Sequence, residues 1–256
     1  MSPASGRSVL SAALLVAACG GHAQSFFFST GNADGRMAVS SRPATSGLEV
    51  EAADDFVLTQ QTTLTTATFS GLIPGSTSDV SSVAIEIYRV FPLDSVSPPS
   101  ATVPTRTNSP ADVAFDSRSI NATLRQIVST GSVFVSNSVV TGIHPVPNQT
   151  TGGEGPVSGN AITITALLSP AITLPAGHYF FVPQVGLASG VFLWLSAPDP
   201  IVAPGTPFTG DLQSWIRDAN LAPNWLRVGT DIVGSGTFNH VFTLSDHDII
   251  FRNGFN

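Results

Sequence analysis

The chain has 256 residues, 42% of them hydrophobic and only 11% charged, with 17 acidic residues against ten basic ones and a formal net charge of −7. Every basic residue is an arginine and none are clustered, which argues against a nucleic-acid-binding or anionic-membrane-binding surface. A single cysteine rules out an intrachain disulfide, so a fold of this length must rest on its hydrophobic core.

The first segment is a leader. Met1–Gly6 is polar, Arg7 supplies a positive charge, and Val9–Ala18 is an apolar run of about ten residues. A bilayer-spanning helix needs about twenty, so residues 1–23 read as a secretory signal peptide. Two cleavage readings stand. Gly21-His22-Ala23 before Gln24 suits ordinary signal peptidase, whereas Val16-Ala17-Ala18-Cys19 resembles a lipobox in which Cys19 becomes the lipidated first residue. The expected location is secreted or at the cell surface. After the leader no apolar run reaches the roughly 18 residues of a transmembrane helix.

Phe26-Phe27-Phe28 predicts a first strand, followed by a polar loop from Gly31 to Gly47. Leu48–Leu58 reads as a strand interrupted near Ala52-Ala53, and Thr62–Ser70 as a Thr-rich strand. Val80–Phe91 alternates most clearly: Val83, Ile85 and Ile87 share one face, while Ser82, Ala84, Glu86 and Tyr88 share the other. Pro92 to Pro110 holds five prolines and predicts a long surface connection that folds over a sheet face. Ile120–Ser129 and Val133–Val140 read as strands of a hairpin turned at Thr130-Gly131-Ser132. A second long loop runs from Gly142 to Asn160, and Ala161–Leu168 returns to alternation. Tyr179–Leu187 and Val191–Ser196, joined by Ala188-Ser189-Gly190, read as a central hairpin apolar on both faces. Pro198 to Pro207 is a proline-punctuated loop. Leu212, Trp215, Ile216 and Ala219 recur at helical spacing behind a capping Asp211, so Asp211–Leu221 predicts a short helix stopped by Pro223. Trp225–Val228 and Thr237–Leu244 read as closing strands, with His240 on the apolar face of Phe238 and Phe242 as a core histidine. The fold class is therefore all-β: an antiparallel sandwich over residues 24–245, jelly-roll-like, with a tail or last edge strand at 246–256.

Several strings carry a resemblance: FFFSTGNADGRM, EAADDFVL, IEIYRVFP, GIHPVPNQTTGGEGP, HYFFVPQVG and LQSWIRDANLAPNWLRVGTDI. They resemble the body of exported bacterial proteins often found with PEP-CTERM sorting tails. The resemblance implies export and a β-rich body, and it carries over no catalytic residue. The end departs from that pattern, without a Pro-Glu-Pro motif, a C-terminal apolar helix or a terminal basic cluster. Ile250-Phe251-Arg252-Asn253-Gly254-Phe255 instead resembles a short sorting-like ending, with Asn256 where an acid usually stands.

Three constellations offer chemistry. Glu49 and Glu51 lie two apart on one strand face, and two carboxylates about 5–9 Å apart serve a glycosidase. Asp54, Asp55, Asp246 and Asp248 form a candidate structural calcium site if the termini meet, because calcium takes several oxygen ligands. Trp194, assisted by Tyr88 and Arg89, is a candidate platform for stacking on sugar rings. His144, His178, His240 and His247 make no metal motif, and no Gly-x-Ser-x-Gly or phosphate-binding glycine loop exists. The leading expectation is a secreted, non-catalytic sandwich of the cell surface or extracellular matrix that binds carbohydrate. Its partner would be an extracellular polysaccharide or the cell envelope, and no organic cofactor is implied. A glycoside hydrolase using Glu49 or Glu51 and a purely structural envelope protein are the alternatives.

Overall fold

The computed structural model describes residues 25–75, 79–96, 103–121, 123–143, 149–201 and 211–247. The leader with Cys19, His144 and the tail from Asp248 onward, including the sorting-like ending, lie outside these residues. In chain order the strands are β1 (Phe27–Ser29), β2 (Met37–Ser40), β3 (Val50–Leu58), β4 (Thr62–Pro74), β5 (Val80–Arg89), β6 (Asp116–Ser119), β7 (Leu124–Val135) and β8 (Asn137–Val139). They continue as β9 (Val157–Leu174), β10 (Gly177–Leu187), β11 (Leu193–Ala197), β12 (Trp215–Asp218), β13 (Leu226–Arg227), β14 (Asn239–His240) and β15 (Phe242–Ser245).

The strands form two sheets packed as a sandwich. The six-stranded sheet has the order β13-β12-β3-β10-β5-β6. In the nine-stranded sheet β4 pairs with β15 and β11 along one edge and with β9 along the other, and β9 in turn pairs with β7. Successive strands β3, β4 and β5 alternate between the sheets, as do β9, β10, β11 and β12, which is jelly-roll-like connectivity. One pair departs from the expected antiparallel pattern: β2 and β8 run parallel.

Alternation explains the layers. Val50, Ala52, Phe56 and Leu58 of β3, Val83, Ile85 and Ile87 of β5, and Tyr179, Phe181 and Val185 of β10 enter the core between the sheets. The other faces of the same strands are buried too. Ala53, Tyr88, Phe180 and Val182 pack with Ala111, Trp215 and Trp225 in a second, outer layer. Its cover comes from the proline-rich connection after β5, as its composition predicts. Arg106 pins that cover: it is 2% exposed, pairs with Asp112 at 2.8 Å, donates to Asn224 Oδ1 at 3.2 Å and lies over the Phe91 ring at 4.5 Å.

Three local expectations are corrected. β10 and β11 are not a hairpin but lie in opposite sheets, because both edges of β10 are occupied, by β3 and β5. Thr130-Gly131 is not a turn either. β7 runs straight through it as one strand, with a register shift between Ser129 and Gly131 that marks a bulge. Asp211–Leu221 is not a helix. Trp215–Asp218 is extended and pairs with β3, Arg217 facing Glu51, so Trp215 joins the outer layer and Ile216 the inter-sheet core. Pairing with β3 overrides a weak local helical pattern. The helical turns lie elsewhere, at Ala44–Ser46 and Val228–Val233. Among the described residues no helix is long and apolar enough to cross a membrane.

Candidate functional site

The outer face of β3 carries the predicted carboxylates. Glu51 is 4% exposed and chelated by Arg217, whose Nη2 donates to Oε1 at 3.0 Å while its Nε donates to Oε2. Tyr88 Oη lies 2.8 Å from Glu51 Oε1 and 2.7 Å from Glu86 Oε2, and it has one hydrogen to give. Burial lifts the Glu86 carboxyl above its ordinary range, and the Glu51 charge adds to the lift. Burial likewise holds the Tyr88 phenol protonated. Trp225 closes the network from above, 4.3 Å from the Arg217 guanidinium carbon. Glu49 stands just before β3 and accepts from Gln184 Nε2 at 3.2 Å. Glu51 is thus buried and committed to its ion pair with Arg217 and its bond to Tyr88.

Trp194 is corrected as a stacking platform. It is 0% exposed; its ring lies parallel to His240 at 4.3 Å, and its Nε1 donates to Val241 O at 2.9 Å. It belongs to the core between the sheets, whereas Tyr88 belongs to the outer layer, so the two do not share a surface. Arg89 pairs with Asp94 and lies over Phe115. Apolarity on both faces of the Trp194 strand reflects two buried sides, not an exposed one.

The calcium set is not assembled among the described residues. Asp54 and Asp55 are neighbours on one strand and reach different partners. Asp54 Oδ2 accepts from His240 N in the opposite sheet at 2.6 Å, while Asp55 Oδ2 meets His178 Nε2 at 2.5 Å and its Oδ1 accepts from Leu212 N at 2.9 Å. Asp246 accepts from Phe26 N at 2.8 Å and contacts His247, and Asp248 lies outside the described residues. No group of three or more His, Cys, Asp or Glu residues suited to a metal ion occurs among the described residues. His240 is the expected core histidine: burial pushes its pKa down to about 3, and Nε2 bonds Ser214 Oγ at 2.6 Å. That Ser–His pair is fully enclosed, and so weak a base does not activate a nucleophile.

The arrangement with ligand-binding chemistry is one that helical periodicity concealed. A cleft of about 460 Å³ opens where the start of β12 meets the cover, lined by Thr105, Asn108, Asp199, Asp211, Gln213 and Trp215 among others. Two of its lining residues each carry a buried polar atom without a hydrogen-bond partner: the Trp215 Nε1 donor and the Asp211 Oδ1 acceptor. The other Asp211 oxygen accepts from Ile201 N at 2.8 Å and Asn239 Nδ2 at 3.2 Å, which fixes the carboxyl group in place. Burial first, then the charges of Asp199 and Asp55, pushes its pKa up to about 7. Arg227, also in the lining, is held by Asp231 at 2.7 Å, so its charge is largely spent. Gln213 Oε1 accepts from Thr230 Oγ1 at 2.8 Å, and its amide nitrogen carries two further hydrogens to donate. Buried polar atoms are ordinarily paired, so an orphaned donor and an orphaned acceptor on two residues of one cleft make it the candidate site. The signal in the sequence was the acid–amide–Trp string Asp211-Leu212-Gln213-Ser214-Trp215 beside a proline loop.

Fold and cleft together define a two-sheet β-sandwich with a polar cleft on the covered outer face of its smaller sheet. Comparison with family models, with curated proteins and with solved structures finds no match for the chain.

Proposed function

We propose that the protein is an exported, non-catalytic sandwich that binds carbohydrate in the cleft beside Trp215 and Asp211. The observation that carries this reading is the unpaired Trp215 Nε1–H and Asp211 Oδ1 on two lining residues of one cleft. A sugar hydroxyl both donates and accepts, which matches a lining that holds an indole N–H and a carboxyl group. Thr105, Asn108 and Gln213 add the uncharged hydrogen-bonding groups that fix orientation in such sites. Cell-surface or matrix location follows from the leader, and an extracellular polysaccharide is the matching partner. The hydrolase alternative loses support from the enclosure of Glu51 in its pair with Arg217.

The test is a glycan array followed by calorimetry on the best ligand. Wild type should bind an oligosaccharide, and Asp211→Ala should weaken binding by about tenfold or more, as expected for loss of a buried hydrogen bond, with the folded state retained by circular dichroism at the assay temperature. Absence of binding to any glycan, or binding indifferent to Asp211 and Trp215, leaves the structural envelope reading in its place.

A further inference from the structure

Among the described residues, the nine-stranded sheet ends at β7 in an edge that no further strand covers. β7 pairs with β9 along one side and, among the described residues, with no strand along the other, where Gly35 O accepts from Ser136 N at 3.0 Å just past the end of β7. Such an edge presents a row of free backbone donors and acceptors, and proteins normally blunt it with charge, proline or a covering segment. Here β7 contains no proline and a single charged residue, Arg125, near its start. Ile127, Val128 and Phe134 are 42%, 39% and 64% exposed.

We propose that this edge pairs antiparallel with the same edge of a second copy, about a twofold axis at Gly131. The register against β9 supplies the argument. Ile127 faces Ile164, Ser129 faces Ile162, Gly131 faces Ala161 and Phe134 faces Ser158, with Thr130 as the extra residue of the bulge. Counted along β9, which pairs with β4 without a shift from Gly159 to Leu167, Ile127 and Phe134 stand equally far from Gly131 and on one face. A twofold axis at Gly131 therefore sets Ile127 of each copy opposite Phe134 of the other, and Val128 opposite Val133. These are aromatic–aliphatic and aliphatic pairs of the kind that stabilise sheets. Gly131, at φ 98°, puts no side chain on the axis, where two copies come closest. Charge favours the same edge: a chain of net charge −7 repels its copies in general, and this strand carries no acidic residue, its one charge being Arg125. One strand pair buries little area, so the dimer is weak and concentration-dependent.

Sedimentation velocity on the full chain, over a concentration series in reducing buffer, tests the register itself. Wild type should dimerise reversibly. Ile127→Lys and Phe134→Glu, each placing a lone charge against an apolar side chain, should each raise the dissociation constant by about tenfold or more. The double variant Ile127→Lys/Phe134→Glu should regain dimerisation, because position 127 of one copy faces position 134 of the other. Unchanged melting by circular dichroism separates these effects from loss of fold. A wild type that stays monomeric throughout overturns the proposal, and points to a strand from another protein as occupant. A dimer that survives both single variants, or a double variant no tighter than either single, also overturns it.

Discussion

Three carboxyl groups in and under the cleft sit in environments that favour the proton. Burial and the Asp55 charge raise Asp54; burial raises Asp55 to about 6 despite its bond to His178, and Asp211 to about 7. An unfolded chain sheds these protons near pH 4, the folded chain later. The native state therefore binds more protons across that window. Stability from these groups is fully present below about pH 4 and is lost as pH rises to about 7. His240, held down to about 3 by burial, acts in the opposite sense between about pH 3 and 6.5 and offsets part of this loss, and Asp94, held low by its bond to Arg89, does so only on the acid side of its ordinary range. Calorimetric melting should accordingly fall between about pH 4 and pH 7, and Asp211→Asn should flatten that fall. A wild-type melting temperature that climbs through this window contradicts the assignment. Arg106 shows the cost of a buried charge from the other side. Arg106→Ala removes the buried cation beside Asp112, together with its bonds to Ser109, Pro110 and Asn224, and should destabilise by about 3–5 kcal/mol in denaturant titration.

Strand pairing has its own constraint at β9. A Cβ on Gly159 would lie 2.2 Å from the backbone oxygen of Ile73, an atom held in the β4 ladder. The backbone there has no side-chain freedom with which to yield. Gly159→Ala should therefore force the two longest strands apart locally and cost about 1–3 kcal/mol, read as a lower denaturation midpoint with little change in slope. An unchanged midpoint means that β4 and β9 are less closely paired at that end. At this scale β12 is the instructive element. Leu212, Trp215, Ile216 and Ala219 fit a helical stripe, yet alternation between Trp215 outward and Ile216 inward fits a strand equally well. The free edge of β3 decided between them.

Over the whole molecule, the all-β class, the half-buried β5, the core role of His240 and the loop that covers a sheet were legible in the residues. Alternation and proline content are local signals, and a strand's buried face is written every second residue. Partner choice is not local. Whether β10 turns back on itself or crosses to the other sheet depends on which edges β3 and β5 already fill. Trp194 was legible as apolar but not as enclosed, since both faces of a fully covered strand read alike. The cleft was invisible for the same reason: Thr105, Asn108, Asp199, Asp211 and Trp215 come from separate stretches of chain, and only folding sets them around one space. The sequence by itself determined the fold class and the alternating burial of each strand, because those follow from backbone geometry and hydrophobicity along a few consecutive residues. Tertiary structure alone decided strand partners, the burial of Glu51 and the site at Asp211, because these depend on contacts between residues far apart in the chain.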